Sequence, residues 1–179
     1  PEQKVSDVAL LSYGEKQFIK THTSGTKKKL PPAAIVLDLF DQQVEDSPEK
    51  VALHYGHQTT TYQQLSDRSL MLAKKILDLT NGHHQYVGVL LGRSDWLVVS
   101  YLAIMRSGSA FVPIDPAFPS ERIELMLEDA GCGVLISETE WITQFEIDGV
   151  KTINIDEINT GCSIANEITL PVVDAEKDA

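Results

Sequence analysis

Short apolar runs alternate with longer amphipathic stretches between residues 35 and 155. The apolar run at residues 86–91 has the length of a strand and is typical of a strand buried on both faces of a parallel sheet. Shorter strands are predicted at residues 110–114, 134–136 and 151–155. Because strands separated by helices form βαβ units, the pattern predicts an α/β fold with a mostly parallel sheet flanked by helices. A hairpin is predicted from two β-prone runs, residues 51–55 and 59–61.

Four helices are predicted where apolar residues recur at helical spacing. Their apolar positions begin at Ile35, Leu65, Trp96 and Ile123. The third helix is apolar nearly all round, so we expect it to be buried. The inner side of the fourth helix is expected to carry Ile123, Leu125, Met126 and Leu127.

Capping and turn residues mark the boundaries of these helices. Thr61 stands three residues before Gln64, which is the spacing of a capping box. Gly108 is predicted to end the third helix, and Pro113 and Pro119 to set the turns that follow. We expect these five residues to have structural roles. Further boundary signals are Pro48, the dipeptide Asn81-Gly82, and the pair Ser94 and Asp95, which can cap the third helix.

Composition narrows the class of protein. The chain has 179 residues with 15 Lys and Arg against 26 Asp and Glu, a formal net charge of −11. This acidic balance argues against nucleic acid as a partner, because neutralising phosphates requires basic residues. The apolar fraction of 42% is enough for one core. No apolar run approaches the roughly 20 residues that span a bilayer, so no membrane partner is expected.

Charge also divides the chain. Residues 1–35 carry six Lys and three acidic residues, whereas residues 138–179 carry two Lys and ten acidic residues. The basic head contains adjacent prolines, Pro31 and Pro32, which disfavour both helix and strand. We therefore expect residues 1–34 to be a linker or N-terminal extension and residues 35–179 to form the α/β portion.

Taken alone, the candidate chemical motifs are weak. The segment Thr23–Lys29 looks like a phosphate loop followed by lysines, but it has one glycine and no preceding strand, so we interpret it as linker. His83 and His84 lack a third nearby ligand for a metal. Trp96, Tyr101 and Met105 are expected to pack in the core. The two cysteines, Cys132 and Cys162, have no metal-ligand spacing and favour a reduced, cytoplasmic protein. No residue is assigned a catalytic, cofactor-binding or metal-binding role.

Two runs of residues nevertheless resemble a known family. Residues 60–65, TTYQQL, resemble the first core motif of nonribosomal peptide synthetase adenylation domains, L-[TS]-Y-x-E-L. Residues 104–116, IMRSGSAFVPIDP, resemble their second, L-K-A-G-x-A-Y-V-P-I-D-P. Residues 118–130 continue that likeness, and residues 10–12 with the stretch around Pro31 resemble a linker from a condensation domain. Gln64 replaces the usual Glu, and Arg106-Ser107 replaces Lys-Ala; Gln keeps the capping geometry and Arg keeps the charge.

The resemblance implies that the chain is an incomplete N-terminal portion of the large lobe of an adenylate-forming enzyme. The complete enzyme would convert an amino acid and ATP, with Mg²⁺, to aminoacyl-AMP and pyrophosphate. It would then pass the acyl group to the phosphopantetheine thiol of a carrier protein. The family's phosphate loop, amino-acid pocket and lid lysine do not occur in these residues. We therefore expect the portion to act as a scaffold, to be inactive alone and to bind no cofactor by itself.

The implied partners are the remainder of the adenylation domain and the neighbouring condensation and carrier-protein domains. Because the missing part would supply further strands, the isolated portion is expected to leave a sheet edge and an apolar face exposed and to self-associate. Two alternatives stay open. The chain could be a non-catalytic interaction or split-domain module, or part of another adenylate-forming ligase, either an acyl-CoA ligase or a carrier-protein ligase.

Overall fold

The structure, a computed structural model, describes residues 10–23, 25, 35–144, 149–158 and 170–171. It divides into two units, residues 1–32 and 33–179. Within the described residues the helices are α1 (Tyr13–Thr23), α2 (Val36–Asp46), α3 (Tyr62–Thr80), α4 (Asp95–Arg106), α5 (Ser120–Asp129) and α6 (Thr139–Ile142). The strands are β1 (Val51–Tyr55), β2 (Gln58–Thr61), β3 (Tyr86–Leu90), β4 (Ala110–Ile114), β5 (Val134–Ser137) and β6 (Lys151–Asn154), and a 3₁₀ turn, Ile155–Glu157, follows β6.

Helix α1 belongs to the first unit, and the sequence prediction did not include it. A capping box starts it: the amide and hydroxyl of Ser12 donate to the Glu15 carboxylate at 2.8 and 2.7 Å. These hydrogen bonds hold the pKa of Glu15 below its ordinary value. None of the eleven residues of α1 is buried.

The second unit is built on a four-stranded parallel sheet in the order β4-β3-β5-β6. Strands β1 and β2 form a separate antiparallel hairpin. The predicted α/β class, the mostly parallel sheet, the hairpin and the four helices α2 to α5 are therefore confirmed. Strand β3 lies inside the sheet, which agrees with its apolar sequence, and four of its five residues are buried.

Side chains that alternate along the strands divide the core between two faces of the sheet. On one face, called here the α3–α4 face, seventeen of the described buried residues form one cluster that includes Val87, Val89, Leu72 and Ile104. On the opposite face, called here the α5 face, Leu90, Ile114, Ile123, Leu127, Cys132 and Leu135 form a smaller cluster.

Four of the five expected structural residues lie at or next to element boundaries. The Thr61 hydroxyl accepts from the Gln64 amide at 3.2 Å, and the Thr61 amide donates to the Gln64 side chain at 3.0 Å, so the capping box is present. Gly108 has φ +70, a value that favours glycine just after α4. Pro119 precedes the first residue of α5. The turn predicted at Pro113 is wrong, because this residue lies within β4 opposite Val89; a proline is tolerated there because β4 pairs only with β3 among the described strands.

Two further local predictions are wrong. Leu125 does not belong to the inner side of α5, because its side chain is 54% exposed while Ile123 and Leu127 are buried. Ser94 does not cap α4 through its hydroxyl, which is buried with no hydrogen-bond partner among the described residues. The Asp95 carboxylate is instead occupied by Arg68, so a long-range ion pair replaces the local cap.

Candidate functional site

A ligand site is expected at the carboxyl ends of β3 and β5. After β3 the chain enters α4 on one face of the sheet, and after β4 it enters α5 on the other. The crevice between β3 and β5, where the connections diverge, is where open α/β sheets bind ligands.

Polar groups at this crevice are held by local hydrogen bonds. The buried Ser137 hydroxyl donates to the Leu90 carbonyl at 2.9 Å and ties the ends of β5 and β3 together. The Trp141 indole donates to the Glu138 carboxylate at 3.1 Å. A Cβ at Gly92 would lie 3.7 Å from that carboxylate. The crevice is therefore acidic and rigidly braced.

An apolar groove of about 630 Å³ opens beside the crevice, towards β4. Its walls are mostly aromatic and aliphatic, and its charged residues are Arg93 and Asp115. Tyr101 stacks on Phe111 with ring centroids 4.4 Å apart, which fixes the orientation of the Tyr101 ring. The remaining large side chains of the groove are Leu91, Leu97, Phe118 and Trp141.

A second, polar groove of about 660 Å³ lies between β2, α3, α4 and the 3₁₀ turn. Arg68 pairs with Asp95 at 2.6 Å, and its guanidinium lies 4.3 Å from the centroid of the Trp96 ring. The Thr60 hydroxyl donates to the same Asp95 carboxylate at 3.5 Å. Asp156, at the rim, accepts from the Thr139 amide at 2.9 Å, which holds its pKa below the ordinary value.

Of the residues singled out in the sequence, Trp96 lines the polar groove and Tyr101 the apolar one, whereas His83, His84 and Cys132 line neither. The His84 ring bonds to the carbonyl of Gly108. Cys132 lies in the smaller core cluster, where burial raises the pKa of its thiol. Among the residues that the structure describes, no group of three or more His, Cys, Asp or Glu could hold a metal ion. Within the same residues, no helix is long and apolar enough to cross a membrane. Of the Thr23–Lys29 segment only Thr23 and Gly25 are described, and Cys162 and the prolines at 31 and 32 also lie outside the described residues.

Sequence reasoning missed two ion pairs among the described residues of the second unit. Arg68 pairs with Asp95, and Arg106 pairs with Asp41. The partners of the two pairs are 27 and 65 residues apart along the chain, so no short-range sequence pattern indicates either pair. A usable signal for Arg106 was its position in the most apolar predicted helix, where a charged side chain needs a partner.

Comparisons with known proteins give one consistent result. The family described as AMP-binding enzyme matches residues 40–176. A linear gramicidin synthase of Brevibacillus parabrevis is 34% identical over 176 residues, which is 98% of this chain and 2% of that protein. Tyrocidine synthase 3 of the same organism is 30% identical over 179 aligned positions, 92% of this chain and 3% of that protein.

A solved structure agrees with these relatives. Klebsiella oxytoca NpsA in complex with 3-hydroxyanthranilyl-AMSN is similar with a TM-score of 0.68 and 25% identity. The match covers 77% of this chain and 28% of the NpsA chain. The chain thus spans a small fraction of the two synthases and about a quarter of the solved protein.

Proposed function

The chain belongs to the AMP-binding enzyme family, and on that premise we propose that it forms part of an amino-acid-activating adenylation domain. The protein that contains it would condense an amino acid with ATP to give aminoacyl-AMP and pyrophosphate. The acyl group would then pass to the phosphopantetheine thiol of a carrier protein in nonribosomal peptide synthesis. The match of residues 40–176 to the family carries this proposal, and the similarity to two peptide synthases supports the substrate class.

The residues of this chain contribute a scaffold to that reaction. The described residues at the carboxyl edge do not fit a nucleoside triphosphate: Asp115, Glu138 and Asp156 are acidic, Arg93 is the one basic residue lining the apolar groove, and Arg68 of the polar groove is already paired with Asp95. We therefore route no catalytic step through them and assign ATP and Mg²⁺ to the complete domain. When bound, Mg²⁺ would neutralise phosphate charge. The four-stranded sheet and its helices would hold the substrate-binding half in place.

The proposal includes partners and location. The remainder of the adenylation domain would be the direct partner, with condensation and carrier-protein domains as neighbours. Because the reaction draws on cellular ATP, we place the protein in the cytoplasm.

ATP–pyrophosphate exchange with the intact protein tests this function. We expect exchange above background with one or a few members of a panel of amino acids, and none when the amino acid or Mg²⁺ is omitted. Exchange with fatty acids alone, accompanied by formation of an acyl-CoA, would assign the chain to another adenylate-forming ligase. Absence of exchange with every acid would favour a non-catalytic module.

Aromatic carboxylic acids are a second candidate substrate class, because the solved relative NpsA is in complex with 3-hydroxyanthranilyl-AMSN. The same assay separates the two classes when 3-hydroxyanthranilic acid and benzoic acids are added to the panel. Exchange with aromatic acids and with no amino acid would replace the first proposal by the second.

A further inference from the structure

Arg106 makes four polar contacts with three side chains of the second unit. Its Nε donates to the Ser69 hydroxyl at 3.1 Å, and its Nη2 donates to the Ser66 hydroxyl at 3.4 Å. Both terminal nitrogens donate to the two carboxylate oxygens of Asp41, one of them at 3.2 Å. The guanidinium also lies 5.6 Å from the centroid of the Phe40 ring. One buried side chain at the end of α4 therefore holds α2 and α3 together.

Helix α2 has few other attachments to the core. Of its eleven residues, all of them described, only Leu37 is buried. Val36 is 65% exposed and Leu39 is 44% exposed. Phe40, which is half-buried, also packs against the cluster of the α3–α4 face, with its ring centroid 6.0 Å from that of Tyr62. Burying one leucine fully contributes about 1.5–3 kcal/mol, and a half-buried phenylalanine contributes only part of its full value, so the polar contacts of Arg106 add substantially to what holds this helix.

Asp41 and Arg106 lie in unequal environments. The Arg106 side chain is 6% exposed, whereas the Asp41 side chain is 47% exposed. If α2 moves away, Asp41 enters water, and Arg106 keeps the two serine hydroxyls of α3 as partners. The α3–α4 pairing can therefore survive the loss of α2.

We propose that α2 opens as a unit, separately from the rest of the fold, and that the Arg106–Asp41 ion pair keeps it docked. Opening would uncover the buried guanidinium and the Ser66–Ser69 side of α3 while β3, β5 and α4 stay folded. Local openings of this kind occur below the free energy of global unfolding in segments with few buried apolar contacts. This inference concerns the fold and does not depend on the proposed reaction.

The guanidinium geometry explains why arginine suits this position better than the lysine of the resembled motif. The Arg106 side chain donates from three nitrogens to four acceptor atoms, which belong to three side chains. A lysine has one nitrogen on a flexible stem and cannot make the two-pronged contact with a carboxylate. Arg106→Lys should therefore keep the charge and still loosen α2.

Amide hydrogen exchange of the intact protein, measured by mass spectrometry of its peptides, tests whether α2 opens separately. For Asp41→Asn we expect exchange of the α2 amides to accelerate about 10- to 100-fold, the range for losing a hydrogen bond to a charged group. Peptides of β3, β5 and α4 should keep their rates. Arg106→Lys should give the same pattern with a smaller factor, and Asp46→Asn, an exposed acid on the same helix, is the matched control and should change neither.

Two results would overturn the proposal. Equal acceleration in α2, α4 and β3 would mean that the pair stabilises the whole fold and that α2 does not open separately. Unchanged α2 exchange in both Asp41→Asn and Arg106→Lys would mean that the pair does not hold the helix. If Asp41→Asn fails to fold, the milder Arg106→Lys variant decides between these results by the same comparison.

Discussion

The two faces of the parallel sheet carry hydrophobic clusters of different size. The α3–α4 face buries seventeen of the described residues under two long helices, and a buried arginine braces those helices against α2. The α5 face buries six of the described residues under a single ten-residue helix, and Leu125 on that helix is exposed. The same central strand serves both faces, with Val87 and Val89 on one and Leu90 on the other.

This difference indicates how each face responds to change. A cavity on the α3–α4 face is bounded by packed elements on every side and relaxes little, whereas α5 can shift towards a void beneath it. Because the cost of a core deletion depends on how far the site can collapse, identical substitutions on the two faces should have different effects.

Matched leucine deletions should produce the largest difference. Leu72 on α3 and Leu127 on α5 are both fully buried. We expect Leu72→Ala to lower the free energy of unfolding by about 4 kcal/mol and Leu127→Ala by about 2–3 kcal/mol, near the two ends of the observed range. Urea unfolding of both variants measures the two values, and a larger loss for Leu127→Ala would reverse the comparison.

Gly88 gives a sharper probe of the α5 face. A Cβ at this position would lie 2.5 Å from Cδ2 of Leu127 and 3.0 Å from Cδ1 of Leu135. Gly88→Ala should therefore cost about 1–3 kcal/mol through overpacking. In the double variant Gly88→Ala/Leu127→Ala the new methyl group fills part of the deleted volume, so the combined loss should be smaller than the two single losses added. Strict additivity in urea unfolding would show that the contact with Leu127 is not the cause.

Removing the capping box of α3, on the α3–α4 face, should lower the free energy of unfolding by less than the core substitutions do. Thr61→Ala removes the acceptor for the Gln64 amide and should cost about 1 kcal/mol. Thr61→Ser keeps the hydroxyl and should cost much less. Equal losses for Ala and Ser in thermal unfolding would mean that the threonine methyl group, and not the cap, stabilises the helix.

Asp156 should give the smallest effect, which is read from the slope of stability against pH in acid. Its folded pKa is below the ordinary value because the Thr139 amide donates to it. Its contribution to stability is therefore present above the ordinary carboxyl pKa of about 3.9 and is lost as the pH falls through the lower folded value. Asp156→Asn should flatten this part of the pH–stability profile, and an unchanged slope below about pH 4 would contradict the assignment.

Local signals predicted the strands, the hairpin and the helix ends, because each of these depends on neighbouring residues. The Thr61–Gln64 spacing predicted the capping box that the structure shows, and the glycine at position 108 predicted the helix end, where its φ is positive. Helix α1 had the same kind of signal in Ser12 and Glu15, but the linker interpretation of the basic head obscured it. Leu125 was misplaced because helical spacing alone does not say how wide a helix face the sheet covers.

The polar clusters could not be predicted, because they depend on which helices meet. Asp41 and Arg106 come together only when α2 crosses the end of α4, and Arg68 meets Asp95 only when α3 packs beside α4. The capping role predicted for Asp95 failed for that reason, because Arg68, 27 residues away, takes its carboxylate. The sequence motifs identified the family, and tertiary packing decided what the charged residues do.

Loading of the carrier thiol tests the central claim most directly. The intact protein, with its phosphopantetheine carrier domain present, is incubated with ATP, Mg²⁺, coenzyme A and the amino acid selected by pyrophosphate exchange, and the carrier is weighed by mass spectrometry. The account predicts a mass increase of one aminoacyl group that requires both ATP and the amino acid. A carrier that stays unloaded while the acid appears as an acyl-CoA would contradict it.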